Sequence, residues 1–361
     1  MNILFKWRSN KLIKTLKFRV KDKHIKHLNK VAANVNFVWN YINELSSRSI
    51  KERGVFLSEF DINKYTAGSS KELGIPAQTI QEVSKEYVTR RRQFKKRRLR
   101  WRKTKGSGRS LGWIPFQPQT IKLVDSKIRF NSVLFSFWDC HNISQYKLKS
   151  GSFNEDSKGR WYLNIAVECE AVKSKGTQLI GIDLGCKDAA VTSTGIKLDN
   201  GWYRELESKL KLAQRANKKD RVRSIHLKIK NRRKDAIHKF TRSLVDSSAA
   251  IFVGNISSRK LIKTKMAKSV LDASWGQIKS TLEYKCANAG VIFEVINEAY
   301  STQTCSCCGI IPDSSPKGRA GLGIRQWVCS ECGAEHDRDV NASKNIAAAG
   351  HRRLEEGILL D

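Results

Sequence analysis

At 361 residues the chain exceeds the usual domain size of roughly 100–200 residues, so more than one domain is expected. Sixty-eight lysines and arginines stand against 34 acidic residues, leaving a net charge of +34 and a sequence pI of about 10.0. That excess is interleaved with apolar residues along the whole length, which points to a polyanionic partner, nucleic acid above all. No run of about 18 apolar residues is present, so a membrane-spanning helix is excluded.

In chain order, the first twenty residues alternate basic and apolar side chains as a strand does. They lack the unbroken apolar stretch of a signal peptide. From about His24 the period becomes helical, with Ile25, Leu28, Val31, Ala32, Val35, Val38 and Ile42 at three- and four-residue steps. A break at AGSS (67–70) precedes a second helical region from about Pro76, which runs into the densest charge of the chain, TRRRQFKKRRLRWRKTK. This predicts a basic helix meeting nucleic acid through Arg90, Arg91, Arg92, Lys95, Lys96, Arg97, Arg98, Arg100 and Arg102, with Trp101, Trp113 and Phe116 either stacking on bases or packing in a core. After the GSGRS linker (106–110), LGWIPF, TIKLVD, SKIRFN, VLFSFW and RWYLNIAVECE read as short strands with GSFNEDSKGR (151–160) as a turn, economically a small β-barrel into which the helices are inserted.

Beyond Leu179, LIGIDLG and AAVTSTG read as strands, with Trp202 and Tyr203 on a third. Residues 205–246 read as a long basic helical stretch, densest in charge over 209–234. AAIFVGNIS (249–257) is a buried strand, SWGQIKSTLEYKCANAG a helix closed by Gly290, VIFEVINEAY (291–300) a strand, and a last helix starts near Asp339. This order describes a mixed α/β domain.

Five of the nine cysteines fall between Cys305 and Cys332, a pattern for metal in a reducing compartment rather than for disulfides. Cys305-x-x-Cys308 and Cys329-x-x-Cys332 form two knuckles that can close a tetrahedral four-thiolate zinc site. With no open position, such a site is structural. The intervening IIPDSSPKGRAGLGIRQW has too few apolar residues to hold its shape without the ion. Asp183 ends a strand in GIDLG, where it either projects towards a metal or caps the turn. Asp339 lies at a helix start, where either it or Asp337 is the cap.

GIDLG, YSTQTCSCCG and VCSECGAEHDRDVNASKNI together closely resemble the split RuvC and zinc-ribbon signatures of TnpB proteins, transposon-encoded relatives of the type V CRISPR effector nucleases. NFVWNYINEL, RRRQFKKRRLRWR, LGWIPF and GSFNEDSKGRWYLNIAVE extend the likeness over nearly the whole chain. The resemblance implies a multi-domain α+β protein. A wedge-like β-barrel (1–22 and 106–175) would carry a helical recognition insert (23–105). A RuvC-like nuclease domain of ribonuclease H fold (176–300 and 334–361) would carry a four-cysteine zinc ribbon (301–333). It also implies a transposon-derived guide RNA and a double-stranded DNA target, while the clustered cysteines and the absence of a spanning segment point to the cytoplasm, with nucleoid association.

One position departs from the family. The strand AAIFVGNIS, where most members carry a catalytic glutamate, has Gly254 followed by Asn255. Either the chain binds DNA without cutting it, or the carboxylate has moved. Glu298 in VINEAY ends the neighbouring strand, about 4.8 Å away across a sheet. Some TnpB proteins and the related Fanzor proteins use such a rearranged glutamate, and this chain resembles them. Glu294 is the fallback. Asp183, Glu298 and Asp339 would then hold Mg²⁺ or Mn²⁺ and hydrolyse DNA by the two-metal route, Asp183 bridging both ions. The competing readings are an RNA-guided repressor without catalysis, a transposase performing strand transfer, and a plain zinc-ribbon DNA-binding protein, which leaves the three carboxylates unexplained.

Overall fold

A computed structural model describes residues 11–106, 108–256, 267–318 and 320–357, and the chain divides into two compact units between residues 170 and 171. The expected N-terminal strand and the expected strand 249–257 both reach beyond the described residues, at 1–10 and at Ser257. No described helix is long and apolar enough to cross a membrane.

The first unit opens with β1 (Lys11–Arg19) and a helical block, α1 (Ile25–Arg53), α2 (Glu59–Thr66), α3 (Ser70–Leu73) and α4 (Ala77–Gln93). β2 (Trp113–Phe116), β3 (Ile121–Val124), β4 (Lys127–Phe130), β5 (Val133–Phe135), β6 (Lys147–Glu155) and β7 (Trp161–Glu170) follow. The apolar stripe read on α1 is the buried one, Leu28, Val31, Val35, Val38 and Ile42, and the helix stops at Gly54 in the left-handed conformation that glycine tolerates. Helices and strands share one core, from Phe18 through Tyr87 to Val167.

The strands do not close into the expected barrel. Among the described residues they form a four-stranded antiparallel sheet, β1-β7-β6-β2, and a separate meander, β3-β4-β5, linked by an isolated Val20–Phe137 bridge. A short 3-10 turn at Pro118–Thr120 interrupts the chain between β2 and β3, which ends the ladder there. The segment GSFNE, expected in a turn, completes β6. The turn itself is narrower, with Asp156 accepting hydrogen bonds from the backbone N–H of Lys158 and Arg160.

The second unit is built on a five-stranded sheet of order β10-β9-β8-β11-β12. Its strands are β8 (Gln178–Asp183), β9 (Asp188–Thr192), β10 (Lys197–Asp199), β11 (Ser248–Gly254) and β12 (Ile292–Ile296). β8, β11 and β12 are parallel, and β9 and β10 turn back antiparallel. Trp202 and Tyr203 lie in the turn after β10 rather than on it, because the chain enters α5 (Arg204–Arg215) there and Trp202 joins the core. The long basic stretch is two helices, α5 and α6 (Lys219–Ser247), broken where Asn217 adopts φ 50°. α7 (Ala267–Ala273) and α8 (Trp275–Ala289) lead to β12, with Gly290 closing α8. A small hairpin, β13 (Gln326–Val328) and β14 (Glu335–Asp337), precedes the last helix, α9 (Arg338–Glu355).

Both faces of the parallel strands are covered, which is why they read as continuous apolar runs. Ile251 and Val253 of β11 face a core shared with Ile237 and Leu244 of α6 and Ile278 and Leu282 of α8. Ala250 and Phe252 pack with Ile346 of α9 on the other side. Two glycines let α9 approach closely. A Cβ at Gly181 would overlap the backbone oxygen of Ser343, and one at Gly350 would overlap the ring of Phe252. The helix backbone therefore lies against β8, and its first turn is carried to the C-terminal edge of the sheet.

Gly181→Ala is expected to cost about 1–3 kcal/mol by overpacking, because the obstacle is backbone that no rotamer change can clear. Gly276→Ala, in α8 with nothing within 4 Å, is expected to be neutral or to stabilise by up to about 1 kcal/mol. Urea unfolding of the two variants measures the contrast; equal stabilities would refute the close approach.

Candidate active site and metal centre

The ends of the three parallel strands meet at one edge of the sheet. Asp183 is the last residue of β8, Gly254 the last of β11, and Glu298 follows β12 by two residues. Ile182 pairs with Val253 and Gly254 with Ile296, so these ends are adjacent in register. Asp339 sits in the first turn of α9. Asp337 is the cap of that helix, accepting from the N–H of Asp339 and Val340 at 3.0 Å each, which leaves the Asp339 side chain for other partners.

The absence of a side chain at Gly254 is what admits Glu298. A Cβ built at Gly254 would overlap the Oε2 of Glu298, so the glutamate occupies the space that a side chain on β11 would fill. The tail of β11 also cradles it. The backbone N–H of Glu298 reaches the Asn255 side-chain oxygen at 3.5 Å, and Lys279 of α8 donates to the Ile256 carbonyl at 3.3 Å. Burial raises the Glu298 carboxyl above its ordinary value, against the opposing pull of Lys279 and the Ile256 backbone. Its Oε2 is buried without a hydrogen-bond partner, an orphaned acceptor of the kind a cation satisfies.

Asp183 is pushed up from 3.8 to about 7, first by burial and then by the charges of Asp339 and Glu298. Asp183 thus feels the charges of both other carboxylates, and oxygen donors of this kind suit a hard divalent cation. Their donor atoms do not close to coordination spacing. Among the described residues, the four cysteines are the group whose ligand atoms all lie within 4.8 Å of one another. Asp339 is instead held by arginines: Arg325 donates to Oδ2 at 2.7 Å, and Arg338 reaches Oδ1 through Nε and Nη2, both at 2.9 Å. Glu294 stands apart, paired with Arg353 at 2.7 Å, a residue about 20 Å along α9 from Asp339.

Cys305, Cys308, Cys329 and Cys332 form the second centre. The sulfurs of Cys305 and Cys332 lie 3.7 Å apart and those of Cys308 and Cys329 3.8 Å apart. Four thiolates about 2.3 Å from a common tetrahedral centre stand about 3.8 Å from one another, so the donor set fits zinc. Against the effect of burial, the backbone N–H groups of Cys308 and Cys307 and the ring of His336 hold Cys305 down at about 6. The Ala334 backbone bond at Cys332 is outweighed by burial and the other three cysteines, which push its thiol up to about 12.

Several contacts were not legible from the motifs. His336 lies 3.0 Å from the Cys305 sulfur through Nε2, under the Trp327 ring. Asn341 and Asn345, one turn apart on α9, donate to the Thr304 carbonyl at 2.8 and 2.7 Å, and Asn341 accepts from the Ser306 N–H. These amides seat the first knuckle on α9. Their one available signal was a pair of asparagines at i and i+4 in the last helix.

In the first unit, the charge run is not one helix. α4 ends at Gln93, Lys95 takes φ 50°, and the chain doubles back along α1. Asn43 bonds both the carbonyl and the N–H of Leu99, and Asn40 those of Arg102, which ties the returning segment to α1. Arg91 is buried and donates to Ser46 and the Leu57 carbonyl, while Arg102 donates to Asn36 and the Leu111 carbonyl. Both serve the unit's interior. Arg90 and Arg98 pair with Glu86 and Glu44; Arg92, Lys95, Lys96, Arg97 and Arg100 are exposed. Trp113 packs against the core and Phe116 is buried, so of the three aromatic candidates Trp101 is the exposed one, with Arg98 over its ring.

Residues 162–265 match the OrfB_IS605 family, described as a probable transposase, and residues 275–346 match the Cas12f1-like TNB domain. The chain is 35% identical over 213 residues to a Streptomyces pristinaespiralis protein named as a candidate RNA-guided DNA endonuclease, covering 55% of this chain and 52% of that one. It is 28% identical over 221 residues to the CRISPR-associated endodeoxyribonuclease Cas12f1 of Sulfoacidibacillus thermotolerans, covering 54% and 51%. In both cases the match spans about half of the relative's length. Among solved structures, a Cas12f1 chain from a complex with single-guide RNA and target DNA superposes with a TM-score of 0.60 at 12% identity, covering 94% of this chain and 99% of that one. The fold is therefore the mixed α/β architecture of that structure.

Because Asp183 in the folded chain keeps a proton that the unfolded chain releases near 3.8, its contribution to stability is full below that pH and is lost as pH rises through about 7. Under chelation, Asp183→Asn is expected to be more stable than the native chain at pH 8, by up to about 4 kcal/mol and with a higher unfolding temperature, and to show no advantage at pH 4. Thermal melts at both values check this; a variant no more stable at pH 8 contradicts it. Cys329→Ser is expected to lose the one zinc per chain that elemental analysis should find in the native protein.

Proposed function

We propose that this chain, similar over residues 162–265 and 275–346 to the OrfB_IS605 and Cas12f1-like TNB families, is a TnpB-type RNA-guided DNA endonuclease, encoded by a transposon, with Asp183, Glu298 and Asp339 as its catalytic carboxylates. The observation that carries the proposal is the seat of Glu298 in the niche beside Gly254. It supplies a third carboxylate at the strand ends, where the chain lacks one on β11 itself. The subgroup with a rearranged glutamate is where such a chain fits.

In this reading the second unit's sheet is a RuvC-like nuclease of ribonuclease H fold (176–300 and 334–361) with a zinc ribbon at 301–333. Residues 1–22 and 106–175 would be the wedge, and 23–105 the recognition insert. The sheet order, with three parallel strands flanked by an antiparallel pair, supports the nuclease assignment. Asp183, Glu298 and Asp339 would hold Mg²⁺ or Mn²⁺, and the orphaned Oε2 of Glu298 favours a cation there. When bound, such ions activate water for attack on the phosphodiester and stabilise the leaving 3′ oxygen. The protein's part is to hold the carboxylates on rigid strand ends and a helix turn, and to bring the phosphate to them. Exposed Arg92, Lys95, Lys96, Arg97 and Arg100 offer phosphate contacts to guide RNA or target DNA. Guide pairing would then select the sequence.

The test is Mg²⁺-dependent cleavage of double-stranded target by the guide-loaded chain. Asp183→Ala, Glu298→Ala and Asp339→Ala are each expected to cut on the order of a hundredfold more slowly or worse, with guide-dependent binding kept. Glu294→Ala is expected to cut normally. Undiminished cutting by Glu298→Ala would remove that residue from the site. A native chain that binds its target without cutting would favour the repressor reading, which the glycine at 254 also admits.

A further inference from the structure

Asp339 is a buried carboxylate with a guanidinium on each oxygen, and the two arginines are unlike. Arg338 neighbours Asp339 on α9, reaches Oδ1 through two nitrogens and has a side chain only 14% exposed. Arg325 makes a single contact, to Oδ2 at 2.7 Å, from a side chain 35% exposed. Its backbone is nevertheless fixed. The Arg325 carbonyl accepts from the Arg338 N–H at 2.7 Å, and the next residue begins β13, which leads directly into Cys329. Arg325 thus extends from the four-cysteine ribbon to the carboxylate, fixed at its backbone and partly exposed along its side chain.

We propose that Arg325 is a positioning residue that the ribbon delivers to Asp339, holding Oδ2 until a divalent cation displaces it. The inference rests on the reading of Asp339 as a metal ligand. The guanidinium's positive charge and its hydrogen bond make Oδ2 a poorer ligand and repel an incoming cation, so a divalent ion at this oxygen competes with Arg325. Arg338 remains on Oδ1 and keeps the carboxylate oriented, as a hydrogen-bonded partner of a ligand does. Displaced, the Arg325 guanidinium stays tethered within reach of the site, where a phosphate is its natural alternative partner.

Mn²⁺ binding to the full chain, measured by calorimetry, separates this proposal from the reading beneath it. Losing a competing ion pair of this exposure should lower the Mn²⁺ midpoint of Arg325→Gln by about three- to tenfold. Arg325→Lys, a weaker single-point competitor, should fall between Arg325→Gln and the native chain, and it tests the idea even if the glutamine variant folds poorly. The Mg²⁺ midpoint for cleavage should move the same way, whatever happens to the maximal rate. Unchanged or higher Mn²⁺ midpoints in both variants, with binding abolished by Asp339→Asn, would overturn the role of Arg325 and leave the metal site standing. Native-like binding by Asp339→Asn would overturn both.

Discussion

The approach of the last helix to the first strand of the second unit's sheet decides where everything else can be. α9 lies against β8 because Gly181 presents no side chain to the Ser343 carbonyl and Gly350 none to the Phe252 ring. A larger residue at either point would push the helix outward and take Asp339 with it. The same helix carries Asn341 and Asn345, which seat the first cysteine knuckle, so one packing contact places both a carboxylate and the ribbon. The pieces are remote in sequence, from Gly181 to Gly350, and meet through backbone proximity.

Around that contact the chain gathers three carboxylates, with Arg325 and Arg338 on Asp339 and Lys279 near Glu298. Asp183 feels Asp339 and Glu298, and Arg338 partly offsets them. Burying like charges together raises free energy unless a cation or a proton relieves it. On the proposed reading, a divalent cation would supply that relief. Gly254 and Glu298 are complementary halves of one feature: the first clears the space and the second fills it.

Much of this was legible in the sequence, and the failures have physical causes. The two cysteine pairs, the apolar stripe of α1 and the buried strands of the parallel sheet follow from spacing and period alone. The basic run misled because helical propensity does not register Asn40 and Asn43, whose amides draw residues 99–102 back along α1. Arg91, buried in α4, and the half-buried Arg102, which look like phosphate contacts, instead donate to Ser46 and Asn36. The closed barrel failed because strand period says nothing about which strands pair; the interruption at Pro118 leaves two sheets. Arg325 had no motif to mark it, since its importance lies in a contact across fourteen residues to Asp339.

The claim that most needs testing is that Glu298 stands in for a carboxylate on β11. The measurement is the cleavage rate of Gly254→Glu/Glu298→Ala beside Glu298→Ala and Gly254→Glu alone, each loaded with guide RNA. The account predicts that the double variant recovers cutting lost in Glu298→Ala, because removing the glutamate frees the niche. Gly254→Glu alone should be impaired by the overlap with Glu298. A double variant no more active than Glu298→Ala, or a Glu298→Ala chain that never lost activity, would contradict the relocation.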